Sequence, residues 1–329
     1  MKKIRLSLLL LPIMVATACS PKAKEPSFKK YSNKVDFETF TTDMEKVTKT
    51  LFGDLNEGDL PSFVSTSDSY INQKQTTTNQ EQKNTLIQED SLRNVIKTQY
   101  DKDNKIVTVD NQVDNAVSEK NTGFSKENIS VSSNKSISLQ FEEKVFDGEN
   151  SIAAIDKGNK AYYNCGPIVN EGENAFNLQS IASAAQARGE SFYLLFFMQY
   201  AFSSEEEQAK YSFYSDDKVF TITYATELKE EETVPGSEEL VYETTAKIDD
   251  IVQIVYSKNK ATIALKFIED EITTYSADDS KNKKGDVVVR KSIMYSTSNV
   301  EYKKPNLKSI DTSNFTLLDD NSVINELFN

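Results

Sequence analysis

Between residues 209 and 297 short polar turns recur so often that only one strand connection fits. Residues 209–214 and 219–225 flank Ser215-Asp216-Asp217-Lys218. Residues 239–248 and 251–256 flank Asp249-Asp250, and 251–256 and 261–268 flank Ser257-Lys258-Asn259-Lys260. Residues 272–276 and 287–297 continue across Asp278 to Gly285. A parallel crossover needs a dozen or more residues, so this spacing predicts an antiparallel meander and excludes βαβ units. Ile263, Leu265 and Phe267 alternate with Thr262, Ala264 and Lys266, the pattern of a strand with one buried face. Similar signals occur earlier, at 92–100 and 105–110 around Asp101-Lys102-Asp103-Asn104, at 137–141, and at 152–155 and 161–164.

Two helices are expected beside these strands. Phe37, Phe40, Met44, Val47 and Leu51 form one apolar stripe, with Asp36 as N-cap and Gly53 as stop. Leu178, Ile181 and Ala185 keep helical spacing into Phe192-Tyr193-Leu194-Leu195-Phe196-Phe197-Met198. That apolar run ends at Phe202, too short for the ~20 residues of a bilayer span. Ser203 with Glu206 reads as a capping box opening one more short turn. The segment 65–90 is rich in Thr, Gln, Asn and Ser, and composition assigns it to disorder. Residues 305–329 read as a tail with a short helix near Ser322 to Phe328.

The fold class expected is α+β: a curved, unclosed antiparallel sheet packed on a few amphipathic helices, arranged as one or two helix-plus-sheet units. The first unit spans 35–170 and the second 171–329.

Composition removes whole classes of chemistry. Histidine is absent, which excludes Ser-His-Asp and Cys-His machinery and His-ligated metals. The two cysteines, Cys19 and Cys165, cannot form a four-thiolate site, and Cys165 reads as a small packed residue. Ten glycines supply no phosphate-binding loop motif, and no calcium-loop pattern is complete. The net charge of −13 argues against nucleic acid. Carboxylate pairs abound, at Glu142-Glu143, Asp216-Asp217, Glu230-Glu231-Glu232, Asp249-Asp250, Asp278-Asp279 and Asp319-Asp320. Neighbours on a strand face opposite ways, and most of these pairs sit at turns, so catalysis is not expected of them. No cofactor and no metal is expected.

The N-terminus gives an address. Lys2, Lys3 and Arg5 precede an apolar run from Leu6 to Val15, and Ala16-Thr17-Ala18 leads into Cys19. A small residue directly before a cysteine, after such a run, resembles the bacterial lipoprotein signal. The resemblance implies cleavage after residue 18 and a diacylglyceryl group on the Cys19 thiol. Ala16 stands where that signal most often has Leu. Losing Lys2, Lys3 and Arg5 takes the net charge to −16. Residues 19–34 then form a lipidated, flexible and basic tether, carrying Lys22, Lys24, Lys29, Lys30 and Lys34. The location implied is the extracytoplasmic face of the cell membrane.

A helix followed by an antiparallel meander also resembles the LolA/LppX-like lipoprotein-associated fold, in element order over roughly 35–300. That fold implies an apolar groove between sheet and helices, and Phe192, Leu195, Phe196 and Phe197 are its candidate lining. The function expected is a non-enzymatic binding or interaction module, monomeric and membrane-anchored, holding a lipid or other apolar small molecule. The alternatives are a solute-binding component of a transporter, which predicts two βαβ lobes, and a cell-wall hydrolase using carboxylates.

Overall fold

The computed structural model describes residues 24–52, 61–79, 84–104, 106–122, 128–142, 152–157, 160–165, 204–234, 239–278, 282–308 and 316–317. These form one sheet with one helix of any length on it, antiparallel throughout except where a two-residue last strand (Thr316–Leu317) runs parallel to Lys160–Cys165. Among the described residues the α+β expectation of several helices is therefore corrected to an essentially all-β architecture; the second expected helix, 176–202, lies outside them. The strands are β1 (Lys34–Val35), β2 (Phe63–Asn79), β3 (Asn84–Asp101), β4 (Ile106–Thr122), β5 (Ile129–Glu142), β6 (Ile152–Lys157) and β7 (Lys160–Cys165). They continue with β8 (Ser212–Asp216), β9 (Val219–Thr233), β10 (Leu240–Ser257), β11 (Lys260–Tyr275), β12 (Asp286–Glu301) and β13 (Thr316–Leu317). The helix is α1 (Phe37–Phe52), and α2 (Glu205–Gln208) is a single turn preceded by Ser204.

The strand order is β1-β8-β9-β10-β11-β12-β2-β3-β4-β5-β6-β7-β13, open at both ends. Two meanders, β8–β12 and β2–β7, join edge to edge where β12 pairs with β2 from Asp286↔Asn79 to Glu301↔Val64. This joint replaces the two helix-plus-sheet units expected from sequence. The backbone hydrogen bonds of β12 and β2 have no other partner on those edges, and pairing along sixteen residues satisfies both.

Three local expectations are overturned by the same ladder. Residues 65–90 are two long strands, because Thr is a good strand residue and each of β2 and β3 has a neighbour on both sides. Asp249-Asp250 is not a turn. It lies mid-strand in β10, where Ala225 and Tyr224 of β9 face it on one side and Ile268 and Phe267 of β11 on the other. Residues 261–268 and 272–276 likewise belong to one strand, β11. Turns do form at Asp217-Lys218 and Lys258-Asn259, where Asp217 (φ 55°) and Lys258 (φ 42°) take the left-handed conformation of tight hairpins, and at Gly285 (φ 84°).

The core lies under α1. Asp36 caps the helix, its Oδ1 accepting from the Thr39 amide at 2.7 Å. Phe40 and Met44 are fully buried, and they pack with Phe63, Phe213, Phe220, Ile222, Ile254, Tyr256, Ala261 and Val300. Phe37, Val47 and Leu51 complete the stripe at its margin. Phe40 meets Phe213 at 5.4 Å and Phe220 edge-on at 5.7 Å.

Candidate binding surfaces

The sheet has two distinct faces at the α1 end. Val252, Ile254 and Tyr256 of β10 pack in the α1 core, so Gln253, between them, lies on the other face. There it is 1% exposed, because residues 24–33 cross over it. The Lys29 amide donates to Gln253 Oε1 at 2.7 Å, and Gln253 Nε2 donates to the Lys29 carbonyl and to Thr221 Oγ1, both at 2.9 Å. Glu25 pairs with Lys266 at 2.8 Å, and Pro26 is buried. Further along, the Ser32 and Asn33 amides donate to the Asp216 carboxylate at 2.9 and 3.2 Å, holding its pKa below the usual range. The chain then rounds the sheet edge as β1 and enters α1 on the opposite face. Residues 24–34 are therefore a strap docked on the sheet, not the flexible tether expected. Their backbone polar groups find partners that composition does not reveal.

The helix face changes character away from α1. Where β12, β2 and β3 meet, it is lined by small hydroxyls. Ser69 Oγ lies 2.8 Å from Ser296 Oγ, and Ser298 Oγ donates to Ser67 Oγ at 2.8 Å. Ser65 and Ser296 are buried. Beside them Thr98 is fully buried, and Thr98 Oγ1, Asn94 Oδ1 and Asn115 Oδ1 have no hydrogen-bond partner among the described residues. Sequence reasoning missed this ladder. Its signal was serine at every second position, 65, 67 and 69, which a composition count reads only as polarity.

Asp250 lies on the same face, next to Tyr224 and Phe267 in register. Burial, reinforced by the Asp249 charge, pushes its carboxyl up to about 7. Asp249 and Asp250 point to opposite faces, so they do not form a catalytic pair. Several other acids have structural uses. Asp216 holds the strap, and Asp278 accepts from Lys283 Nζ and the Lys284 amide. Asp101 Oδ1 accepts from the Asp103 and Asn104 amides in the β3–β4 turn. Among the described residues, no group of three or more acidic or sulfur side chains is placed to hold a metal. No described helix is long and apolar enough to cross a membrane.

Phe192, Leu195, Phe196, Phe197 and Cys19 lie outside the described residues, as do Ser203 and the expected C-terminal helix. Cys165 ends β7, its backbone paired with Ile152.

Comparisons with known proteins add little. No family model matches the chain. No curated protein matches it either. Among solved structures it is similar to Pseudomonas aeruginosa OccK7 (OpdD), with a TM-score of 0.19 and 6% identity over 74% of this chain and 99% of that one. A second is Pseudomonas putida OprB in its low-pH structure, with a TM-score of 0.17 and 9% identity over 82% of this chain and 100% of that one. At such scores the likeness carries no argument.

Proposed function

We propose that the protein is a non-enzymatic binding or interaction module, lipid-anchored through Cys19 on the extracytoplasmic face of the cell membrane, with the helix face of its sheet as the ligand surface. The anchor rests on the Lys2-to-Cys19 signal. The ligand surface rests on one observation: Thr98, Asn94 and Asn115 hold buried oxygens without partners among the described residues, beside the Ser69–Ser296 ladder. Buried polar atoms are nearly always partnered, so a ligand carrying hydrogen-bond donors suits this region better than an acyl chain. The apolar run 192–198 favours a second reading, an apolar ligand at Phe192, Leu195, Phe196 and Phe197. The antiparallel ladders weigh against a two-lobed solute-binding component, and the opposed carboxylates against a hydrolase.

Native mass spectrometry of the protein extracted in detergent from its own membranes tests this reading. The expected spectrum shows a diacylglyceryl-modified Cys19 and a bound species that is lost from Ser69→Leu. An unmodified Cys19, or a chain that carries nothing in either form, overturns the corresponding half of the proposal.

A further inference from the structure

The strap sets where the anchor emerges. Read toward the N-terminus, its contacts move from Asp216 at the end of β8, to Gln253 on β10, to Lys266 on β11. Lys24 is the last described residue, and Cys19 is five residues beyond it. Five extended residues reach no more than about 18 Å. The next strands in the direction of travel are β12 and β2, about 5 and 10 Å further on. In register with Lys266 there, and therefore on the strap face, stand Tyr295, then Tyr70, then Arg93. Tyr70 and Tyr295 are both half-buried, their rings stacked at 6.5 Å and 30°.

From this geometry we infer that the strap face, centred on Tyr70 and Tyr295, lies against the headgroups of the bilayer that holds Cys19, and that the helix face is turned away from it. The inference rests on the lipid-anchored reading above. A tether this short keeps the face that releases it within about 18 Å of the membrane. Tyrosine suits that depth, because its ring is apolar and its hydroxyl is wet.

Charge orients the sheet the same way. On the strap face four acids pair with cations, Asp68 with Arg93, Glu243 with Lys229, Glu227 with Lys247 and Asp270 with Lys291, while Lys74, Lys97 and Lys120 share that face with Glu89, Asp110, Asp114 and Asp249. Lys24, Lys29 and Lys30 add positive charge on the strap itself. On the helix face, Glu269 and Glu271 of β11 and Glu230 of β9 stand with Arg290 of β12, which pairs with Glu271 at 2.7 Å. An anionic leaflet repels that acidic face and tolerates the balanced one. The same orientation presents the Ser69–Ser296 ladder outward.

Adjacent residues on opposite faces provide the test. Gln73 follows the face of Ser69 and Lys74 that of Tyr70, and both are exposed. In full-length lipidated protein carrying Cys165→Ser, Gln73→Cys and Lys74→Cys are each labelled with a fluorophore. The proteins are reconstituted in phosphatidylcholine–phosphatidylglycerol vesicles containing a headgroup nitroxide lipid. We expect quenching at position 74 to exceed that at 73 by about threefold, the short tether keeping one face toward the quencher. Equal quenching, or stronger quenching at 73, overturns the orientation while leaving the anchor intact. Protein that lacks the Cys19 lipid mass and does not float with the vesicles sinks the anchoring reading and the orientation with it.

Discussion

Around α1 the helix face is closed by carbon: Phe40, Met44, Phe213 and Phe220 exclude water, and aromatic rings meet at 5–6 Å. Around Ser69 the same face carries the Ser69–Ser296 and Ser67–Ser298 hydroxyl pairs, and among the described residues three amide or hydroxyl oxygens beside them have no partner. Both regions lie on strands of one ladder, so backbone hydrogen bonding does not separate them. Side-chain burial does. Apolar area contributes roughly 25 cal/mol per Å² removed from water, whereas a hydroxyl pair nets about 1 kcal/mol after exchange with water. The α1 end is therefore the stabilising end, and the serine ladder contributes little to holding the sheet.

Phe40→Ala breaks the comparison most directly. It empties a fully buried site and is expected to cost about 3–5 kcal/mol in denaturant unfolding. Ser69→Ala, at the other end, should cost less than about 1 kcal/mol. Equal costs would mean that the ladder, not the helix, holds the sheet. Gln253→Ala tests the strap. Three hydrogen bonds of a buried amide are lost, and the expected cost is about 1–3 kcal/mol, with earlier proteolytic cleavage in 24–33. No change in cleavage would show that the strap is held by other contacts.

These regions were unequally legible in the sequence. The α1 stripe could be read because its spacing, from Phe37 to Leu51, is set by helix geometry alone. The hairpin turns at Asp217 and Lys258 could be read because a tight turn is a local event. The 65–90 segment and Asp249-Asp250 could not. Their strand state depends on neighbours distant in sequence, Thr66 facing Asn299 and Asp250 facing Phe267. Local composition favoured loop, and the ladder overrode it. The strap was missed for the same reason, since Gln253 is 224 residues from Lys29. The polar site was not legible because serine at alternate positions carries no hydrophobic contrast.

A smaller effect separates the two regions by pH. The Asp250 carboxyl is raised from 3.8 to about 7, so the folded state favours its neutral form. Its contribution is fully present below about pH 4 and is lost as pH rises through 7. Asp250→Asn should therefore stabilise the protein at pH 8 by about 1–2 kcal/mol, allowing for its partial exposure, and leave it unchanged at pH 4. Thermal melts across that range check the sign. A gain at pH 4 instead would show that Asp250 is stabilised as a carboxylate. Smallest of all is Arg93→Lys, which keeps the charge but loses the paired bonds to Asp68 at 3.0 and 2.8 Å, for about 0.5 kcal/mol.

The central claim is that the two meanders form one sheet through β12 and β2. Amide hydrogen exchange across 65–79 measures it directly. The account predicts protection in that segment comparable to 287–300, its partner in the ladder. Exchange across 65–79 at the rate of an open chain, with 287–300 still protected, would contradict it.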